Sequence, residues 1–216
     1  MKRPSYPAKL KTANNMCFFG CQGAGKGYRV EQLMKPETRL FIWDSMDTFS
    51  DRMLRIDGDL HQLRNAIAKQ RFRIAFVPDE NKFHEQFLFC CKLVFAFGRM
   101  ATVWDECDEV TRPVNPPPPW RALAGRARHA GLRNIALAHR PAEMDKKFIM
   151  NSHTVCAGRL EYKSDIEALK PRFKKRVFEL EDLPDHVQLH ACRGVIKTLQ
   201  RNAKPTAGGV QGSLMF

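Results

Sequence analysis

The chain is 216 residues long, carries a formal net charge of +13 and is 44% apolar by composition. That length suits one compact α/β domain with a short tail, and the apolar content, with 15 Phe and three Trp, excludes intrinsic disorder as a description of the whole. The charge surplus points to a polyanionic partner, nucleic acid first and an acidic membrane surface second.

The seven cysteines (Cys17, Cys21, Cys90, Cys91, Cys107, Cys156 and Cys192) form no CxxC pair, and several sit inside apolar runs. They read as reduced, cytosolic thiols, not as zinc ligands. No stretch approaches the ~20 apolar residues that span a bilayer. The longest, 87–97, contains Lys92, and the basic N-terminus lacks the apolar segment of a signal peptide. A soluble chain without a membrane segment is expected.

In chain order, residues 14–20 read as a short buried strand, 21–25 as a Gly-rich turn and 26–35 as a helix. A second strand follows at 39–44, a helix at 60–70 and a third strand at 73–78. Residues 81–97 form a long helix that Gly98 ends, since glycine tolerates the left-handed conformation at a helix C-terminus. The next strand, 100–104, runs straight into Asp105 and Glu106. The Pro-rich segment 114–119 fits neither a helix interior nor a central strand, so it is a loop leading into a helix at 120–130. A strand at 133–138, a helix at 142–150 and strands at 154–157 and 187–192 complete the pattern, with 187–192 as the last. Strands that alternate with helices predict a mainly parallel sheet with helices on both faces. The organisation expected is a basic N-terminal arm at 1–14, a nucleotide-binding domain at 15–200 and a Gly-rich tail at 201–216.

Two motifs carry chemistry. Gly20, Cys21, Gln22, Gly23, Ala24, Gly25, Lys26 and Gly27 fit G-x-x-x-x-G-K between a strand and a helix, with Tyr28 next in the helix. Glycines let backbone N–H groups curl around a phosphate, the helix N-terminus adds partial positive charge, and Lys26 reaches the β- and γ-phosphates. Gly27 departs from the pattern, because a Ser or Thr there normally ligates Mg²⁺. The second motif is the apolar strand that ends in Asp105 and Glu106. Ligands bind at the carboxyl ends of parallel strands, which puts Asp105 in place to hold Mg²⁺ and Glu106 to activate the attacking water. The nearby acids Asp108 and Glu109 are expected in the following loop, too far from the strand end to compete.

Basic residues cluster at Lys2, Arg3, Lys9 and Lys11, and again at Lys170, Arg172, Lys174, Lys175 and Arg176. Such groups give salt-sensitive, sequence-independent contacts to DNA phosphates. An exposed face far from any DNA is the alternative for the second cluster. His186 and His190 have helical spacing, but their segment reads as a strand, which argues against a metal pair.

Taken together, these segments resemble the FtsK–HerA superfamily of P-loop ATPases, and within it the genome-packaging ATPases of membrane-containing icosahedral phages and viruses. The resemblance runs from about residue 15 to about 194. It rests on the strand ending at Asp44, on Gly98-Arg99 leading into TVWDE, on the helix end Gly125–Gly131 containing Arg128-His129, on IALAHRPAEMD, and on 151–154. It implies a RecA-like P-loop NTPase fold with ATP and Mg²⁺ as cofactors, and an ATP-driven DNA translocase that packages a viral genome. It also implies a homo-oligomeric ring, hexameric or pentameric, with DNA and viral capsid or vertex proteins as partners, in the virion or the host cytoplasm. His139 stands where the family has a glutamine thought to sense the γ-phosphate. An arginine from the neighbouring subunit completes the family's site; Arg128 and Arg140 are the candidates here, with Arg126 behind them. Two alternatives are a phage-assembly or secretion ATPase of the zonula-occludens-toxin-like type and a nucleotide-binding scaffold without turnover, which Gly27 favours.

Overall fold

The structure, a computed structural model, describes residues 14–200, without the side chain of Arg52. The basic cluster Lys2, Arg3, Lys9 and Lys11 and the tail 201–216 lie outside the described residues.

Among the described residues, nine strands form one sheet in the order β3-β4-β2-β5-β6-β1-β7-β8-β9. The strands are β1 (Asn15–Phe19), β2 (Arg39–Trp43), β3 (Leu54–Asp57), β4 (Phe72–Val77), β5 (Ala101–Trp104), β6 (Arg133–Ala138), β7 (Thr154–Ala157), β8 (Val187–Cys192) and β9 (Val195–Gln200). β1 to β7 pair in parallel, whereas β8 and β9 add an antiparallel edge. The helices are α1 (Lys26–Met34), α2 (Leu60–Ile67), α3 (Phe83–Phe97), α4 (Cys107–Val110), α5 (Pro118–Ala130), α6 (Lys146–Asn151) and α7 (Lys163–Phe173). This is the α/β, mainly parallel architecture that the strand–helix alternation predicts, and it matches the RecA-like fold that the resemblance implies.

The two-residue period of the strands sorts their side chains onto two cores. Met16, Phe18, Leu40 and Ile42 face Val30 and Met34 of α1. Cys17, Phe19, Phe41 and Trp43 face the larger layer built by α2, α3, α5, α6 and α7. Helices therefore cover both faces, but unequally. In the larger layer all three tryptophans are fully buried beneath β2 and β5. Trp104 stacks edge-on with Phe41, Phe87 and Trp120, and its indole N–H donates to Asn134 Oδ1 at 2.6 Å. This aromatic block fixes the ends of β2 and β5, where Asp44 and Asp105 begin.

Several elements depart from the sequence expectation. β8 is not the last strand: β9 follows it through a tight turn at Arg193 and Gly194, both with positive φ, the geometry of a two-residue hairpin. β9 and β3 are edge strands with little buried surface, so neither has the apolar run that reveals a strand. α2 stops at Ile67, and α6 begins only at Lys146, because a turn at 141–144 precedes it. The basic run at 163–173 is a helix, α7, that buries Ile166, Leu169 and Phe173 at helical spacing despite Pro171 inside it. Gly98 does end α3; its φ is +60°, and a Cβ there would meet Ala130 O at 2.3 Å.

Candidate functional site

β1 lies at the point where the chain direction switches across the sheet: its successor β2 is three places away, beyond β6 and β5. Ligand crevices form at such points, outside the carboxyl ends of the strands. The Gly-rich loop leaves β1 there. Gly20, Gly23 and Gly25 all have positive φ, and Gly25, in the left-handed region, is the N-cap of α1. The backbone path thus requires glycine at each of these three positions.

The loop is held from outside the motif. The Gln188 side chain, buried in β8, donates to Ala24 O at 2.9 Å, and Cys21 N–H donates to Arg159 O at 2.9 Å. Ala24 is clasped between two glycines: a Cβ on Gly20 would come within 2.8 Å of Ala24 Cβ, and one on Gly158 within 2.7 Å. Gly158→Ala is therefore expected to push the loop out of place. Titration calorimetry should show nucleotide affinity falling by about tenfold or more, and thermal melting a destabilisation of ~1–3 kcal/mol from overpacking. Unchanged affinity would mean that Ala24 yields without moving the loop.

Lys26 is the first residue of α1, directly after this loop. Its Nζ donates to Gly20 O at 2.6 Å and sits 3.2 Å from His139 Nδ1, at the end of β6. His139 Nε2 lies 2.9 Å from Glu106 Oε1. A neutral ring with its proton on Nε2 satisfies both contacts, donating to Glu106 and accepting from Lys26. The hydrogen bond to Glu106 pushes the His139 pKa up, against burial and the nearby Lys26 charge. Burial lowers that of Lys26, and the carboxylates of Glu106, Asp105 and Asp108 oppose this.

Asp105 directly follows β5 and is 6% exposed. Its backbone N–H donates to Trp43 O at 3.1 Å, which seats it beside the end of β2. Glu106, with φ +47°, turns in the left-handed region and swings its side chain toward His139. Burial, then the charges of Glu106 and Asp44, push Asp105 up from 3.8 to about 7. The folded protein accordingly holds a proton that the unfolded chain has lost. Stability falls as pH rises from about 4 to about 7, and the cost is complete above that. Asp105→Asn removes this cost. In metal-free protein it is expected to raise Tm at pH 8 by at least ~2–4 °C, with little change at pH 4. An equal or lower Tm at pH 8 would contradict this reading.

Asp108 corrects an expectation. It does not hang in a distant loop: it lies in the short helix α4 and accepts from His139 N–H at 3.1 Å and Arg140 N–H at 2.7 Å. Its carboxylate thereby ties the end of β6 to the end of β5. Glu109 lies in the same helix.

The two candidate arginines are placed differently. Arg140 Nε donates to the buried Asp165 at 2.7 Å, Nη1 lies 3.1 Å from Glu143, and the guanidinium stacks on Tyr162. It is held within its own chain. Arg128 is exposed on the last turn of α5, just before β6 begins, at the opposite end of the sheet from the loop. Arg126 is also exposed on α5.

The second basic cluster is partly engaged within the chain. Lys170 pairs with Glu167 and Arg176 with Glu179, while Arg172 donates to Met150 O and Ser152 O at the end of α6. Lys174 and Lys175 are exposed.

Lys26, Gly27, Asp105, Glu106 and His139 thus line one open cavity of about 490 Å³ with the rest of the loop from Cys21 to Gly25. Gly20 and Tyr28 flank it. Thr48 and His186 share its wall and were not singled out for it from sequence; both reach it from loops remote in the chain. Of the cavity's side chains, the carboxylates of Asp105 and Glu106 are the ones that could hold a divalent cation. Asp44 and Asp105 are buried carboxylates, the charge of Asp44 raises the Asp105 pKa, and a cation in the cavity would offset that repulsion. Asp105 would hold it, and Gly27 supplies no hydroxyl. Among the described residues, no group of three His, Cys, Asp or Glu side chains is arranged to hold a metal ion, at this site or elsewhere, and no helix is long and apolar enough to cross a membrane.

No protein-family model and no curated protein matches the sequence. Solved structures do. The genome packaging NTPase B204 from Sulfolobus turreted icosahedral virus 2, in complex with AMPPCP, superposes with a TM-score of 0.72 at 14% identity over 88% of this chain and 99% of that one. VirB4 of Thermoanaerobacter pseudethanolicus gives 0.66 at 9% identity over 88% and 90%. The pCW3 conjugation coupling protein TcpA with ATPγS gives 0.57 at 13% identity, over 88% of this chain and 60% of that one. At these identities the likeness is one of fold alone, an α/β RecA-like fold shared with these proteins.

Proposed function

We propose that this protein is an ATP-hydrolysing motor that translocates DNA during packaging of a viral genome. The observation that carries this reading is the convergence of Lys26, Asp105, Glu106 and His139 on one cavity beneath a glycine-rich loop. A structural likeness to a packaging NTPase supports it, as does the charge of +13.

In this reading the loop N–H groups and Lys26 cradle the triphosphate, Lys26 exchanging its contact with Gly20 O for phosphate oxygens. Asp105 would hold Mg²⁺, which would supply positive charge against the phosphates. Glu106 accepts a proton from the water as its oxygen attacks the γ-phosphorus in line; the bond to the β-phosphate oxygen breaks, and ADP and phosphate leave. His139 touches both Lys26 and Glu106, so it is placed to report the γ-phosphate to the base. Arg128 of a neighbouring copy completes the site in a hexameric or pentameric ring. Lys174 and Lys175 are the better placed of the basic cluster for DNA, since Lys170, Arg172 and Arg176 are engaged within the chain. Capsid or vertex proteins would be further partners, with the protein in the virion or the host cytoplasm.

The test is phosphate release by the purified full chain with and without DNA. Hydrolysis that DNA stimulates, and that salt suppresses by weakening phosphate contacts, is the expected result. Hydrolysis indifferent to DNA at low salt would remove the translocase reading, and nucleotide binding without hydrolysis would favour a scaffold.

A further inference from the structure

The cavity offers a hydroxyl where the loop lacks one. A Cβ built on Gly27 meets nothing within 4 Å, so this position leaves open space where the motif normally projects a Ser or Thr oxygen. Thr48, exposed in the segment between β2 and β3, lines the same cavity as Gly27, Lys26 and Asp105.

The segment carrying Thr48 is pinned. The buried Asp44 carboxylate accepts Thr48 N–H at 2.8 Å and Phe49 N–H at 2.9 Å. Thr48 Oγ1 lies 3.4 Å from Asp44 Oδ1, with the hydroxyl as donor. A hydroxyl that gives its proton to a carboxylate keeps its oxygen lone pairs for a cation. The same anchoring holds Thr48 on the wall of the cavity that Asp105 also lines, because Asp44 directly follows β2 and Asp105 N–H bonds back to Trp43 O.

We infer that Thr48 supplies the hydroxyl ligand to the nucleotide-bound divalent cation that Gly27 cannot, with Asp44 as its positioning residue. This rests on the nucleotide-binding reading above and adds to it the origin of the missing ligand.

The experiment is a Mn²⁺ titration, followed by the electron paramagnetic resonance of free Mn²⁺, on the full chain with saturating AMPPCP. Thr48→Ala is expected to weaken Mn²⁺ binding by roughly 10–100-fold, the loss typical for a group that supports a metal, while Thr48→Ser retains it. Adding Gly27→Ser to Thr48→Ala is expected to restore affinity, since a serine fits the open space. Mn²⁺ held by Thr48→Ala as tightly as by wild type overturns the inference. So does a loss that Gly27→Ser does not recover, because the effect would then come from the fold of the segment. Failure of wild type to bind AMPPCP at all would instead overturn the nucleotide-binding reading, and this inference with it.

Discussion

Glu106→Gln is expected to lower the rate of ATP hydrolysis by ~10²–10⁴ while leaving nucleotide affinity within a few-fold of wild type. The amide keeps the shape of the side chain and can still accept from His139 Nε2, so the cavity is preserved. It cannot take a proton from water. The other acids are placed differently: Asp108 is tied through Oδ2 to the backbone N–H groups of His139 and Arg140, and Asp105 is buried with its own expected duty to the metal. Single-turnover phosphate release, set beside titration calorimetry, separates the two effects. Hydrolysis within a few-fold of wild type would move the base to another residue.

The second large effect belongs to Arg128. If it acts on a neighbour's nucleotide, Arg128→Ala is expected to cost ~10³–10⁵ in turnover, the range for a transition-state arginine supplied in trans. Mixing makes the test specific. A Lys26→Ala subunit has an intact Arg128, and an Arg128→Ala subunit has an intact loop, so a mixture of two inactive variants is expected to regain activity at mixed interfaces. Absence of recovery, with both variants shown to assemble, would contradict the trans role. Arg140→Ala should behave differently. It leaves Asp165, 1% exposed, without its guanidinium partner, so its first effect is on stability.

The parts of the site that were legible in sequence are those written locally. The glycine spacing of the loop and the apolar strand running into Asp105 and Glu106 are each contained in a few consecutive residues. Their meeting follows from the rule that parallel strands present their carboxyl ends to one crevice. What sequence did not disclose depends on contacts across long separations. Gln188 reaches Ala24 over 164 positions, and Gly158 is a glycine because Ala24 packs against it. Asp108 was misplaced because a four-residue helix carries too little pattern to show that it turns back under β6. β3 and β9 were missed for a simpler reason: edge strands bury little, so hydrophobic alternation, the main sequence signal for a strand, is nearly absent from them. The basic residues of α7 and beyond show a different limit, since a run of charges conceals which of them the fold has already paired.

The Gly-rich loop at the carboxyl end of β1 is expected to bind a nucleoside triphosphate through Lys26. The most direct measurement is titration calorimetry of Mg²⁺–ATP into wild-type and Lys26→Ala protein at matched pH and salt. Saturable binding to wild type that Lys26→Ala reduces by at least about tenfold, roughly 1.4 kcal/mol, is the result expected. No binding to wild type, or equal binding to both proteins, would rule out nucleotide binding through Lys26.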